Sequence, residues 1–222
     1  MQTESLAVIL LLVSSVSLVV TGIIRRPGIG IIVTLAIIGF LTFSQPEGLS
    51  MFGFQAQNNW YVTIFLGFLI GTILAIVALV LIEPLAEKIT GQLHDISIVE
   101  NIRGNVAALI QWLLIVWILV GFIEEIIYRG YLMTAFIDIF GASSLSITAS
   151  LLFSSLVFGL SHYYQGPSGA ISATIVGFVI GIVFILSEFN LWLVILVHGF
   201  IDTVQLILIF YNKDHAIRRW LV

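Results

Sequence analysis

Long apolar runs separated by short polar joints make up almost the whole of this chain. The runs cover residues 6–24, 28–43, 60–82, 106–140, 144–160, 170–186 and 191–211, and most are long enough to cross the ~30 Å hydrocarbon core of a bilayer as helices. The joints at 25–27, 45–59, 83–105, 141–143, 163–168 and 187–190 collect the Gly, Pro, Asn, Ser and charged residues that end helices. This pattern predicts an all-α polytopic membrane helix bundle of about seven to eight transmembrane helices, forming a single integral membrane domain over residues 1–222. The second run is short and the fourth long. The fourth is expected to tilt, or to break at Gly130 and leave 131–140 as a separate short helix.

Composition agrees with lipid as the solvent: 60% of residues are hydrophobic and 9% charged, and mean hydropathy is +1.18. No Lys or Arg precedes the first run, and Arg25 and Arg26 follow it, so it reads as a retained membrane helix rather than a signal peptide. The absence of cysteine excludes disulfides, thiolate metal sites and cysteine nucleophiles. A net charge of -4 without any basic block gives no nucleic-acid footprint. If the spans alternate, Arg25, Arg26, Lys88, Arg103, Lys213, Arg218 and Arg219 fall on one side, which predicts a cell-membrane protein with its amino terminus outside and its carboxyl terminus cytoplasmic. Trp60, Trp112, Trp192 and Trp220 read as interface anchors, and His94 and His215 as solvated residues without a site role.

Against this background Glu124, Glu125 and Arg129 stand out, because each ionised side chain deep in a bilayer costs roughly 2.5 to 3.5 kcal/mol on insertion scales. Glu125 and Arg129 are four apart on one helical face and can neutralise each other. Glu124 points about 100° away, pairs by position with Tyr128, and is left with a carboxylate available to another part of the bundle. His162 ends the fifth run, and His198 lies inside the seventh, four residues before Asp202.

Depth allows these groups to meet. Glu124 precedes the turn near Gly141 by about 17 residues and His162 follows it by about 21, so at ~1.5 Å per residue their heights differ by only about 6 Å. His198 and Asp202 are shallower but within reach of a tilted helix. A glutamate that takes a proton from water and later returns it, histidines that hold and polarise that water, and donors for an oxyanion together suit peptide hydrolysis.

The order EExxxR (Glu124, Glu125, Arg129), FxxxH (Phe158, His162) and HxxxD (His198, Asp202) resembles the CPBP family of intramembrane glutamic proteases, which includes CAAX prenyl endopeptidases of the Rce1 type and bacteriocin-processing or Abi-type immunity relatives. The resemblance covers about 106–211, the expected catalytic core, and leaves 1–105 as variable N-terminal spans. It implies that Glu124 is the general base, that His162 holds the same water, and that His198 and Asp202 stabilise the oxyanion, with Glu125 and Arg129 as the supporting pair. Asp202 donates a hydrogen bond only when protonated, and orienting His198 is its alternative role.

No cofactor and no metal are implied, although His and carboxylates also ligate zinc, which makes a zinc-dependent membrane peptidase the mechanistic rival. No HExxH motif occurs. A non-proteolytic scaffold or bacteriocin-immunity protein is the alternative function, and transport a third. The expected partners are a peptide or membrane-associated protein substrate and the lipid bilayer. Gly177 and Gly181, four apart in the sixth run, suit close helix packing or a substrate path.

Overall fold

The structure, a computed structural model, describes residues 2–44 and 48–214; Gln45, His215, Arg218, Arg219 and Trp220 lie outside the described residues. Among the described residues, seven helices are long and apolar enough to cross a membrane. They are α1 (Gln2–Ile23), α2 (Pro27–Ser44), α3 (Trp60–Thr90), α4 (Val106–Phe140), α5 (Ser144–Ser161), α6 (Gly166–Leu186) and α7 (Leu191–Phe210). No strand occurs among the described residues. The chain is an all-α integral membrane protein of the multi-pass kind.

Local signals set the helix starts. Asn59, Asn105, Ser143 and Asn190 each accept hydrogen bonds from backbone N–H groups of the first turns of α3, α4, α5 and α7. Pro27 opens α2, where its missing N–H costs nothing. Gly91, at φ +67°, closes α3 with a left-handed cap.

Two helices depart from the expected boundaries. The third continues eight residues beyond 82 through Glu83–Thr90, so the first part of the expected polar joint is helical and Glu83 is buried. Wide i→i+5 turns at Ala78–Ile82 stand directly ahead of Pro84, whose ring would clash with a carbonyl of the preceding α-turn. The fourth helix does not break at Gly130. It runs unbroken to Phe140 through wide turns at Val116–Glu124 and Ile126–Met133. Gly130 serves instead as a point of close approach: a Cβ there would lie 2.9 Å from the carbonyl oxygen of Phe52, in the short 3₁₀ helix Gly48–Phe52.

Helix α4 is a wedge between two packed cores. On one side α3, α6 and α7 bury Leu74, Ala75, Ile180, Phe184, Val194 and Ile201, joined from α4 by Met133. On the other, α1, α2 and α5 bury Leu11, Leu18, Ile38 and Phe158 against Ile127, Tyr128 and Leu132 of α4. At the end of the bundle away from the α3–α4 joint, Phe54, Trp60, Phe122 and Trp192 form an aromatic cluster, so Trp60 and Trp192 anchor each other.

The segment 91–105 lies across the other end. It is tied to the α5–α6 joint by Asp95 N–H donating to Gln165 O (3.0 Å), and to the α1–α2 joint by Arg25–Asp95 (3.8 Å). Arg103 holds the end of α7 through two 2.8 Å bonds to Asp214. Hydrogen bonds from the Ser97 hydroxyl and backbone N–H hold the Asp95 carboxyl below the usual carboxylate range.

The seam between α3 and α7 is close because Gly71 lacks a side chain: a Cβ there would lie 2.6 Å from Val197 O and 2.7 Å from Phe200 Cβ. At Gly39 in α2 it would meet nothing within 4 Å. Gly71→Ala is expected to cost about 1–3 kcal/mol by overpacking, whereas Gly39→Ala leaves stability unchanged or slightly raised. Thermal unfolding in detergent measures both, and an equal response would contradict a tight α3–α7 seam.

Candidate active site

Glu125 sits between the two wide turns of α4 with no exposure, and Arg129 is 1% exposed. The Arg129 guanidinium donates to Glu125 Oε1 (2.7 Å) and to the carbonyl oxygen of Gly177 on α6 (2.7 Å), and its Cζ lies 5.0 Å from the centre of the Phe158 ring of α5. The expected i,i+4 pair therefore exists, and it also links three helices. A Cβ at Gly177 would lie 2.8 Å from Phe158 and 3.3 Å from Arg129, which makes this glycine a packing position, and Gly181 likewise receives Leu151.

Glu125 has a second partner that its spacing did not suggest. His198 Nδ1 donates to the same Oε1 at 2.6 Å, so α4 and α7 are joined through one buried carboxylate oxygen. This bond orients the His198 ring. With Nδ1 committed, His198 presents Nε2 toward Asp202 Oδ2, 3.6 Å away.

His162 is fixed in the same way. As the C-cap of α5 it donates from Nδ1 to the carbonyl oxygen of Phe158 (2.8 Å), which turns Nε2 toward Glu124 Oε2 at 3.8 Å. Glu124 is 8% exposed, and its Oε2 makes no hydrogen bond among the described residues. Tyr128 does not pair with it. The Tyr128 hydroxyl bonds Ser161 Oγ (2.7 Å), because the wide turns of α4 carry that ring against α5.

The structure thus brings together Glu124, His162, His198 and Asp202, with Glu125 and Arg129 behind them. His162, His198 and Asp202 line a cavity of about 210 Å³, and Glu124 stands just behind its wall, reaching it through His162. The Tyr164 ring, 5.6 Å from that of His162, lines the same space. No sequence signal beyond adjacency to His162 pointed to Tyr164.

The cavity also extends to residues outside the expected site. His94 is not solvated: its side chain is 14% exposed, and it faces Glu83 of α3 and Gln165 within the cavity wall. It is folded inward because the segment 91–105 crosses the cavity end. Gln205 lies seven residues after His198, hence on the same face of α7, and that spacing is the signal that marks it in the sequence.

Neutralisation of Glu125 sets a testable cost. Arg129→Met leaves a buried carboxylate short of its cation and is expected to lose about 3–5 kcal/mol, and Glu125→Gln added to it to recover much of that. Thermal melts of the two variants measure the difference, and equal melting temperatures for the single and double variants would contradict the pairing.

A model of the family described as Type II CAAX prenyl endopeptidase Rce1-like matches residues 106–204. No curated protein and no solved structure matches the chain. The matched residues contain Glu124, Glu125, Arg129, His162, His198 and Asp202, and over them the chain is similar to the Rce1-like family of CAAX-type endopeptidases.

Proposed function

We propose that this protein, at family level a CAAX-type intramembrane protease, hydrolyses its peptide substrate with a water activated by Glu124. The observation that carries the reading is the opposition of Glu124 Oε2, which makes no hydrogen bond among the described residues, and His162 Nε2 at 3.8 Å. His162 donates a hydrogen bond from Nδ1–H to a backbone carbonyl, so in the neutral ring Nε2 is an acceptor, as is the carboxylate. Two acceptors at this separation are bridged by one water at about 2.8 Å from each, donating a proton to both.

From that position Glu124 takes a proton as the water oxygen bonds to the substrate carbonyl carbon. The electron pair displaced onto the carbonyl oxygen meets the Nε2 side of His198, which in this step carries a proton on each ring nitrogen, with Nδ1–H held by Glu125. Asp202 lies beside that Nε2 at 3.6 Å and completes the oxyanion pocket when protonated. Collapse breaks the C–N bond, and the proton on Glu124 passes to the leaving amine. Glu125, Arg129 and the Gly177 carbonyl hold the geometry.

The reading assigns water activation to a carboxylate rather than to zinc. The cavity lies at the end of the bundle that carries Arg25, Arg26, Lys88, Arg103 and Lys213. By the charge rule this end is cytoplasmic, so substrate enters from that side or laterally from its leaflet.

Purified protein in liposomes is expected to cleave membrane-associated peptides, a prenylated reporter among them. Glu124→Gln is expected to reduce the rate by about 10²–10⁴-fold without lowering the melting temperature, and a chelator to have no effect. Chelator-sensitive cleavage would replace the glutamate mechanism with a metal one. A folded Glu124→Gln protein that retains full function in cells, with no cleavage by the wild type, would favour a scaffold or immunity role.

A further inference from the structure

The cavity is closed at one end by a stretch of chain that is fastened unevenly. His94, Asp95, Ile96, Ile98 and Val99, all from the segment 91–105, form part of its wall. Residues 99–103 are built into the bundle. Ile102 has no exposure and packs with Ala108, Val116, Leu206 and Ile209, Val99 leans on the same cluster, and Arg103 is bonded to Asp214. By contrast, no residue of 91–98 is fully buried, and Leu93 and Ile98 are 78% and 57% exposed.

The ties that hold 91–98 are polar. His94 N–H donates to Glu87 Oε1 (3.0 Å) on the helix that the segment leaves, and His94 Nδ1 faces Glu83 Oε2 at 3.8 Å. Arg25 pairs with Asp95 at 3.8 Å on the surface, where an ion pair carries little weight. Two further ties converge on Gln165, at the α5–α6 joint. Its carbonyl oxygen accepts from Asp95 N–H (3.0 Å), and its Oε1 accepts from His94 Nε2 (3.2 Å). Its own N–H donates to the carbonyl oxygen of His162 (2.9 Å), so the fastening point is built onto the water-holding histidine. Gly169 makes room for this side chain, since a Cβ there would lie 2.5 Å from Gln165 Cβ. At the start of the segment, Gly91 takes φ +67° with nothing within 4 Å of the position of a Cβ, so the chain can turn there without meeting a neighbour.

Segments with few buried apolar contacts open locally at low free energy, while packed apolar elements stay in place. Resting on the proteolytic reading above, we propose that residues 91–98 are a flap over the active-site cavity, pivoting at Gly91 and latched by Gln165, and that the peptide substrate enters by displacing it. Residues 99–103 remain docked as the flap swings. Opening frees the Gln165 carbonyl and side-chain amide, which an extended peptide can bond in place of Asp95 and His94. The flap and the substrate therefore compete for the same groups beside His162.

The chain has no cysteine, so one introduced pair can lock the flap. In Asp95→Cys/Gln165→Cys the 3.0 Å backbone bond bounds the Cα separation at about 7 Å, the upper limit for a disulfide. Oxidation is expected to slow peptide cleavage in liposomes at least tenfold, and a reductant to restore it. Undiminished cleavage by the oxidised protein would bring the peptide in from the lipid side, overturning the flap and leaving the glutamate mechanism intact. A second readout needs no substrate. Ser172→Cys puts the sole thiol of the chain on the cavity wall, where Ser172 is 4% exposed, and a charged, membrane-impermeant methanethiosulfonate reports how often the cavity opens to water. Adding Gln165→Ala removes the His94 tie and is expected to raise the labelling rate about five- to tenfold. An unchanged rate overturns the flap whether or not any peptide is cleaved. So does an equal rise at Ser150→Cys, buried in α5 outside the cavity lining, which would mean that the whole bundle has loosened. A rise confined to Ser172→Cys in a protein that cleaves nothing supports the flap and counts against the proteolytic reading alone. Where the oxidised and reduced pairs are equally slow, the labelling decides.

Discussion

A carboxylate buried among hydrocarbon side chains has to be answered by the protein itself, and in this bundle one oxygen of Glu125 receives both answers. Arg129 and His198 donate to Oε1 at 2.7 and 2.6 Å, while Oε2 has no hydrogen-bond partner among the described residues. The single-oxygen arrangement couples α4 directly to α7 and, through Arg129, to α5 and α6. Arg129 extends the contact to the Gly177 carbonyl of α6 and to the Phe158 ring of α5, and His198 extends it to α7. Removing water raises the cost of each charge and the strength of each contact together, so the cluster is rigid only while it is complete. The candidate active site inherits that rigidity, since His162 follows four residues after Phe158 and Asp202 four after His198.

The wide turns of α4 belong to the same arrangement. A regular α-helix would place residues 124, 128 and 131 along one stripe. With wide turns on both sides of Glu125, α4 instead turns Tyr128 to Ser161 of α5 and Glu125 to His198 of α7, while Glu124 faces His162. Widened turns are common at functional sites because they release the side-chain register that a uniform helix imposes. The two cores on either side of α4 are what hold such a helix in place. Ile127, Tyr128 and Leu132 are fixed in one and Met133 in the other, leaving the charged residues between them.

Much of this was legible in the sequence, for identifiable reasons. Span positions follow from apolar length, and the Asn and Ser caps mark where helices begin. The meeting of Glu124 with His162 follows from counting residues to the turn at Gly141, because helical rise is nearly constant. The bond from Glu125 to His198 did not follow, since spacing reports neighbours on one helix and not partners across two. The wide turns were equally invisible: Gly130 looks like a break until Phe52 is placed against it. His94 departs from expectation because a histidine in a polar joint is ordinarily solvated, and only the path of the segment 91–105 over the cavity encloses it.

The three cavity histidines show one device with unequal robustness. Each commits one ring nitrogen to a fixed acceptor and turns the other toward the cavity: His162 to the Phe158 carbonyl, His198 to Glu125, His94 to the Gln165 side chain. A backbone carbonyl survives any substitution at its own residue, so the direction of His162 is set by the end of α5 and not by the identity of residue 158. The direction of His198 depends on the charge of Glu125 and, behind it, on Arg129. Within the proposed mechanism the water-holding half of the site is therefore secured by the fold, and the oxyanion half by a single buried carboxylate. Substitutions at 125 and 129 then reach the chemistry by loosening His198, while Glu124 and His162 keep their opposition.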